Sequence, residues 1–293
     1  MPHRGQGIER KGPNGVAPGR GNSQGSAKRL VVRGVGPGAQ GMKERGIFKT
    51  IEALHGDASY GKVLDAGTGP KSLGWLTKQA TDSITAVTGA KSMVAIVRKW
   101  LGKWERPQDR MIVGNWANPK LLAGEKFDTV LAENLLGSIE GFAPYFQTEL
   151  FARLRSLTGK RLYVVGLEPY VVEKPADEAG AFIWEIGRYR DACQMLSGGR
   201  PYREFPGEWV ADQLKRSGFN PVGARRFSVN YTSDFVNGQI GLAKLHLEHM
   251  EDKALAQSLI AHGEELTARA LAYIERNGKL SHGFVHVIAA DPV

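Results

Sequence analysis

The stretch Val63-Leu64-Asp65-Ala66-Gly67-Thr68-Gly69-Pro70-Lys71-Ser72 decides how this chain reads. It opens apolar and β-branched, reaches an acid, and then carries two glycines and a proline. The order is strand, glycine turn, helix. Gly67 and Gly69 offer backbone angles closed to residues with a Cβ and let a ligand approach the main chain. The helix start beyond them presents unpaired N–H groups and the positive end of a dipole. In a dinucleotide site such a turn holds pyrophosphate. The pattern here is D-x-G-x-G rather than G-x-G-x-x-G, and Asp65 beside the glycines repels a pyrophosphate. An acid at that place suits a ligand carrying positive charge, such as an amino group.

On either side the chain alternates. Ile47, Ile51 and Leu54 share a helical face. Residues 62–66 predict a strand and 72–81 a helix with Leu73 and Leu76 on one side. Residues 84–87 predict a strand, 92–101 a helix, 111–113 and 127–131 strands, 142–157 a helix and 161–167 a buried strand. Strands alternating with ten-residue helices indicate βαβ units and a parallel sheet. Helices at 177–196 and 206–217, a strand at 220–228, helices at 234–249 and 252–275 and a strand at 283–290 complete the pattern.

Composition bounds the function classes. The chain has 293 residues, 42% of them apolar and 24% charged, close to ordinary globular usage. Its one cysteine, Cys193, permits no intramolecular disulfide and no cysteine-based zinc site. No apolar run is long enough for a transmembrane helix, and no apolar segment suggests a secretory signal. The expectation is a soluble, cytoplasmic protein without membrane partners; an acid-poor N-terminus leaves organellar targeting open. The net charge of +9 is unevenly placed. Residues 1–46 hold nine Lys/Arg against two acids, which leaves +2 for the rest. A nearly neutral body does not suit an enzyme that tracks phosphates, so nucleic acid is not the expected partner. Residues 1–42, glycine-rich and basic with few large apolar side chains, are expected to be a disordered tail. Residues 43–293 are expected to form one domain.

At this point the sequence resembles the class I S-adenosylmethionine-dependent methyltransferases. VLDAGTGPKSL (63–73) is similar to their first motif and SITAVTGAKSM (83–93) to their second strand and helix. IVGNW (112–116) stands where the adenine-contacting motif lies, FDTVLAENLLGSI (127–139) is similar to the fourth motif, and LYVVGLEP (162–169) to the fifth strand. The resemblance implies a doubly wound, seven-stranded, mostly parallel α/β sheet of Rossmann-like type, and S-adenosylmethionine as cofactor. It places Asp65, Gly67 and Gly69 at the cofactor's amino acid end, Thr88 at the ribose, and Asn115 and Trp116 at the adenine, with Trp116 covering the ring face. Glu133 and Asn134 fall near the methyl donor as candidate catalytic residues; alternatively they cap the next helix. Two departures stand out. Lys71 replaces the third glycine, and Thr88 replaces the acid that commonly holds the ribose.

The cofactor of such enzymes carries an activated methyl, so the protein's task is alignment and exclusion of water. A base is needed only when the acceptor loses a proton. Acceptor specificity in this fold comes from insertions near the carboxyl ends of the strands. The segment 170–205 is such an insertion, expected to act as a helical lid. Phe182, Ile186, Tyr189, Cys193 and Leu196 form its packing face. Trp184 and Arg188, with Arg200, Tyr202 and Arg203 beyond, are the candidate substrate-binding residues, because guanidinium groups suit carboxylates. The competing reading pairs Arg188 with Asp191 and Arg203 with Glu204 on a solvated face. His246 and His249, and His282 and His286, lack a third ligand and read as surface or core residues, so no metal is expected. The stripe Leu255, Leu259, Leu266, Ala270 reads as core or a dimer face; oligomeric state is not encoded legibly.

Residues 184–210 are more loosely similar to plant and algal small-molecule methyltransferases, including methylthiohydroxybutyrate S-methyltransferases of dimethylsulfoniopropionate synthesis. That resemblance implies a small carboxylate-bearing thioether acceptor. Two other functions stay open on the residues: methylation of RNA with the basic tail as an anchor, and a non-catalytic S-adenosylmethionine-binding protein.

Overall fold

A computed structural model describes residues 46–293. The basic segment 1–42, read as a disordered tail, lies outside the described residues. Seven strands form one sheet: β1 (Gly61–Asp65), β2 (Thr81–Thr88), β3 (Arg110–Val113), β4 (Phe127–Glu133), β5 (Thr158–Leu167), β6 (Phe219–Tyr231) and β7 (Leu280–Pro292), in the order β3-β2-β1-β4-β5-β7-β6. β1 through β5 pair in parallel, and β7 runs antiparallel to both β5 and β6. The chain leaves β1 toward β2 and β3 on one side, and β4 continues on the other. The order reverses between β1 and β4, and in open α/β sheets that reversal opens a crevice at the carboxyl ends of the strands.

The helices are α1 (Ile47–His55), α2 (Pro70–Leu76), α3 (Lys91–Leu101), α4 (Leu135–Phe142), α5 (Gln147–Leu157), α6 (Glu178–Leu196), α7 (Gly207–Arg216), α8 (Ser233–Glu248) and α9 (Lys253–Asn277). On one sheet face Val63, Leu131, Tyr163, Val165, Val285 and Val287 pack with Ile51, Leu73, Leu76 and Val97 of α1, α2 and α3. The intervening Leu64, Val130, Leu162, Val164 and Ile288 are equally buried. α4, α5 and α7 pack against strands β4 to β7. Burial on both faces makes such strands continuous apolar runs, and this is why residues 161–167 read so clearly.

The helix of the insertion packs on α8 and α9. Ile183, Ile186, Tyr189 and Cys193 of α6 share an apolar cluster with Val236, Ala243 and Leu247 of α8 and Leu266 and Ala270 of α9. Leu196, expected on that face, is exposed at the helix end, as is Leu255 near the start of α9.

Two other elements differ from expectation. α2 stops at Leu76 instead of residue 81, because Thr81 already pairs with Gly61 in the sheet. The helix expected at 142–157 starts later, as α5 at Gln147, and an unexpected helix, α4, ends at Phe142, with Tyr145 at φ 71 between them.

Candidate active site

The reversal point holds a cavity of about 430 Å³. Gly67, Gly69, Thr88, Asn115, Trp116, Glu133, Asn134 and Tyr202 all line it, so most of the predicted residues converge. Asp65 does not. It is fully buried behind the turn, where its Oδ2 accepts from Ser72 Oγ at 2.9 Å. Ser72 Oγ in turn accepts from the Gly69 N–H at 3.1 Å. The acid therefore braces the turn from behind, and its Oδ1 has no partner. Burial pushes its carboxyl up to about 7, against the Ser72 hydrogen bond that favours the ionised form.

The two glycines serve approach rather than angle. Neither takes a positive φ. A Cβ on Gly69 would meet nothing within 4 Å, so that edge of the turn stands open. Trp116 lines the cavity and also holds the turn. It is 4% exposed, and its indole N–H donates to Ala66 O at 2.8 Å. The bond props the turn from the cavity wall. Phe142 also lines the cavity, and sequence reasoning missed it. Phe142 lies so close over Gly89 that a Cβ there would stand 2.7 Å from the ring.

Thr88 Oγ1 accepts from the Ala90 N–H at 3.3 Å, leaving its own O–H to donate. Asn115 is committed on both sides of its amide. Nδ2 donates to Phe142 O at 2.7 Å and Oδ1 accepts from the Ala117 N–H at 2.9 Å. The amide ties Phe142 in place and keeps a second N–H and a second lone pair at the cavity.

Glu133 ends β4 and faces the cavity. Burial pushes its carboxyl above the usual range, and the charge of Lys71 opposes that shift. Its protein hydrogen bond is weak, from Asn134 Nδ2 at 3.4 Å. Asn134 holds the N-cap position of α4 in the left-handed region, at φ 51, but its side chain does not cap the helix. Asparagine tolerates that conformation better than most residues. The capping alternative for Asn134 is thus not what its side chain does.

A second cleft of about 890 Å³ is lined by Arg188, Arg200, Tyr202 and Arg203. Arg200 and Arg203 converge on the buried Glu140, at 3.5 and 3.6 Å, and Gln147 Nε2 donates to the same carboxylate at 2.8 Å. Neither pairing of the solvated-face reading forms. Asp191 instead takes Arg190 at 2.6 Å, and Arg188 lies over the Trp184 ring at 5.5 Å. Trp184, expected to close the site, lines neither cavity. α4 receives the 200–205 loop through two small residues. A Cβ on Gly137 would stand 2.7 Å from Arg203 O, and one on Gly141 3.3 Å from the Tyr202 ring. Among the described residues no cluster of three His, Cys, Asp or Glu could hold a metal ion, and no helix is long and apolar enough to cross a membrane.

No protein-family model matches the chain, and no curated protein matches it in sequence. Solved structures do match in shape. A protein of Bacillus halodurans assigned to the methyltransferases is 12% identical, with 83% of this chain and 98% of that one covered, at a TM-score of 0.53. The YcgJ protein of Bacillus subtilis is 14% identical over 83% and 96%, at 0.49. The cyclopropane synthase MmaA2 of Mycobacterium tuberculosis is 19% identical over 83% of each, at 0.47. At such identities the likeness is one of fold. The first of these carries it: the chain has the Rossmann-like, seven-stranded fold of a methyltransferase-type protein.

Proposed function

We propose that the chain is an S-adenosylmethionine-dependent methyltransferase acting on a small, carboxylate-bearing acceptor. The observation that carries this reading is the convergence of the open Gly69 edge and the Glu133 carboxylate in one cavity at the reversal point of the sheet. Its volume falls in the range of roughly 300–1,000 Å³ that holds small ligands.

The residues present fit the cofactor. Glu133 is a largely buried carboxylate with little protein partnership, so it favours a cationic group beside it. Thr88 retains a hydroxyl donor for ribose. Phe142, Met93 and Ile139 supply apolar surface for a flat base. Asp65, Ser72 and Trp116 hold the turn in shape. When bound, S-adenosylmethionine supplies an activated methyl on a sulfonium. The chain's own residues then have to orient the acceptor and exclude water.

The acceptor cleft supports an anionic molecule. Three guanidinium groups (Arg188, Arg200, Arg203) and three carboxylates (Glu140, Asp191, Glu204) line it, and Asp191 is already paired with Arg190 behind the wall. Burial pushes Glu204 toward its neutral form, so the wall carries a positive excess. Within this class the acceptor atom is the remaining choice. A thioether sulfur, as in acids of the methylthiohydroxybutyrate type, needs alignment alone, whereas a hydroxyl also needs a base. The test is transfer of a labelled methyl to small hydroxy acids, thioether acids, amines and bulk RNA. Label in a small acid supports the reading. Label only in RNA, or in nothing despite cofactor binding, overturns it.

A further inference from the structure

Beside the cofactor-side cavity lies a chamber of about 300 Å³ that shares Asn134 and Tyr202 with it. Its walls are largely apolar, with Leu136, Leu167, Phe205 and Phe235 among them. Two polar side chains matter. Arg190 is spent: Nη1 donates to Tyr170 Oη at 3.0 Å and Gln239 Oε1 at 2.8 Å, while Nε and Nη2 donate to Asp191. It is a neutralised frame.

His286 is different. It is 1% exposed, it lines the chamber, and neither ring nitrogen has a hydrogen-bond partner. An unpartnered buried polar group is costly, and folds rarely carry one without use. The sheet is arranged to house this ring. Gly166 of β5 and Arg226 of β6 are its direct partners across the strands. A Cβ on Gly166 would stand 2.9 Å from Nε2, so only glycine leaves the ring its place there. Nδ1 lies 3.8 Å from Glu168 Oε1. That carboxylate pairs with Arg226 at 3.4 Å and accepts from the Gly207 N–H at 3.4 Å.

We propose that His286 accepts the hydrogen bond, and then the proton, of a hydroxyl group on the methyl acceptor, which makes the acceptor atom an oxygen rather than a thioether sulfur. The proposal rests on the methyltransferase reading above. In the step, a lone pair of the acceptor oxygen forms the new bond to the methyl carbon. The bond from that carbon to the sulfonium sulfur breaks, and its electron pair stays on sulfur. The hydroxyl proton passes to His286, and Glu168 is the carboxylate available to the imidazolium. The proton leaves to solvent after the product.

The charged and titratable groups around the ring are Glu168, Arg226, and across the chamber Arg190, Glu204 and Tyr170. Burial, aided by Arg226, holds the imidazole down at about 4, so its lone pair is free at neutral pH. A weak base of this kind accepts its proton late, when bond formation has made the oxygen acidic.

The test uses the full chain with labelled S-adenosylmethionine. Hydroxyl probes are phenol, catechol and 3-hydroxybutyrate; the thioether probe is 3-(methylthio)propionate. Transfer to a hydroxyl probe is expected, falling about a hundredfold or more in His286→Gln, with cofactor affinity within about twofold of wild type. Glu168→Gln, which keeps the imidazole, is expected to slow the same transfer about tenfold. It stands in if the first variant does not fold. Transfer confined to the thioether probe, or wild-type rates in the variants, overturns the proposal and leaves the methyltransferase reading intact. Absence of cofactor binding in the wild-type chain overturns both.

Discussion

The indole N–H of Trp116 donates to the carbonyl of Ala66 at 2.8 Å across fifty positions of sequence. The bond ties the segment after β3 to the glycine turn after β1. Trp116→Phe keeps an aromatic ring and removes the donor, leaving a buried carbonyl unpaired. The expected cost is about 1–3 kcal/mol of stability in urea unfolding, with weaker cofactor binding because the turn loosens. A residue that merely covered the adenine would tolerate phenylalanine on both counts.

Asp65 should make stability fall with rising pH. Its carboxyl is pushed up to about 7 in the fold, from 3.8 as its ordinary value. A group that holds its proton more tightly when folded contributes fully below its unfolded pKa and loses that contribution as pH rises through the folded one. The window is therefore about pH 4 to 7. Urea midpoints of wild type, minus those of Asp65→Asn, should decline across it. A rising difference contradicts the buried, protonated carboxyl.

His286 acts with the opposite sign. Its imidazole is lowered from 6.5 to about 4. The neutral ring contributes fully above about pH 6.5, and that contribution drains away as pH falls toward 4. By linkage the size is roughly 3 kcal/mol. Wild type should lose more stability than His286→Gln between pH 7 and 4.5, read from thermal unfolding. Equal losses contradict the buried neutral ring.

Glu140 should matter to the acceptor and not to the cofactor. Its carboxylate gathers Arg200, Arg203 and the Gln147 amide. Glu140→Gln releases the two arginines, which are more than half exposed and keep their hydration. The stability loss is expected to stay near about 1 kcal/mol. The loop at 200–205 should become more open to limited proteolysis, and KM for the acceptor should rise several-fold with the cofactor Kd unchanged. A change confined to the cofactor Kd would place the loop's role elsewhere.

Much of the frame was legible because its signals are local. The run from Val63 to Ser72 announces strand, turn and helix by itself, and the residues at a strand's carboxyl end, such as Glu133 and Asn134, fall at the crevice by topology. α4 was missed because Gly137 and Gly141 weaken its helical signal. They are there for the approach of Arg203 and Tyr202, which no local pattern encodes. Asp65 was recognised as an acid at the turn, but its direction depends on Ser72 in the following helix. Trp116 was placed at the cavity, yet its indole turned toward Ala66. His286 and Gly166 meet only through pairing of β5 with β7, so neither carries a local signature. Arg190 stood beside Arg188 in the sequence and was passed over, since only the packing of α6 with α8 brings it to Gln239.

The central claim is that the cavity between Gly69 and Glu133 binds S-adenosylmethionine. Titration calorimetry on the full chain tests it most directly, with Glu133→Gln alongside. The account predicts binding of both S-adenosylmethionine and S-adenosylhomocysteine to wild type, and about tenfold weaker binding of S-adenosylmethionine to the variant, as the loss of a buried charge partner implies. Heat of dilution alone from wild type, or equal affinity in Glu133→Gln, would contradict it.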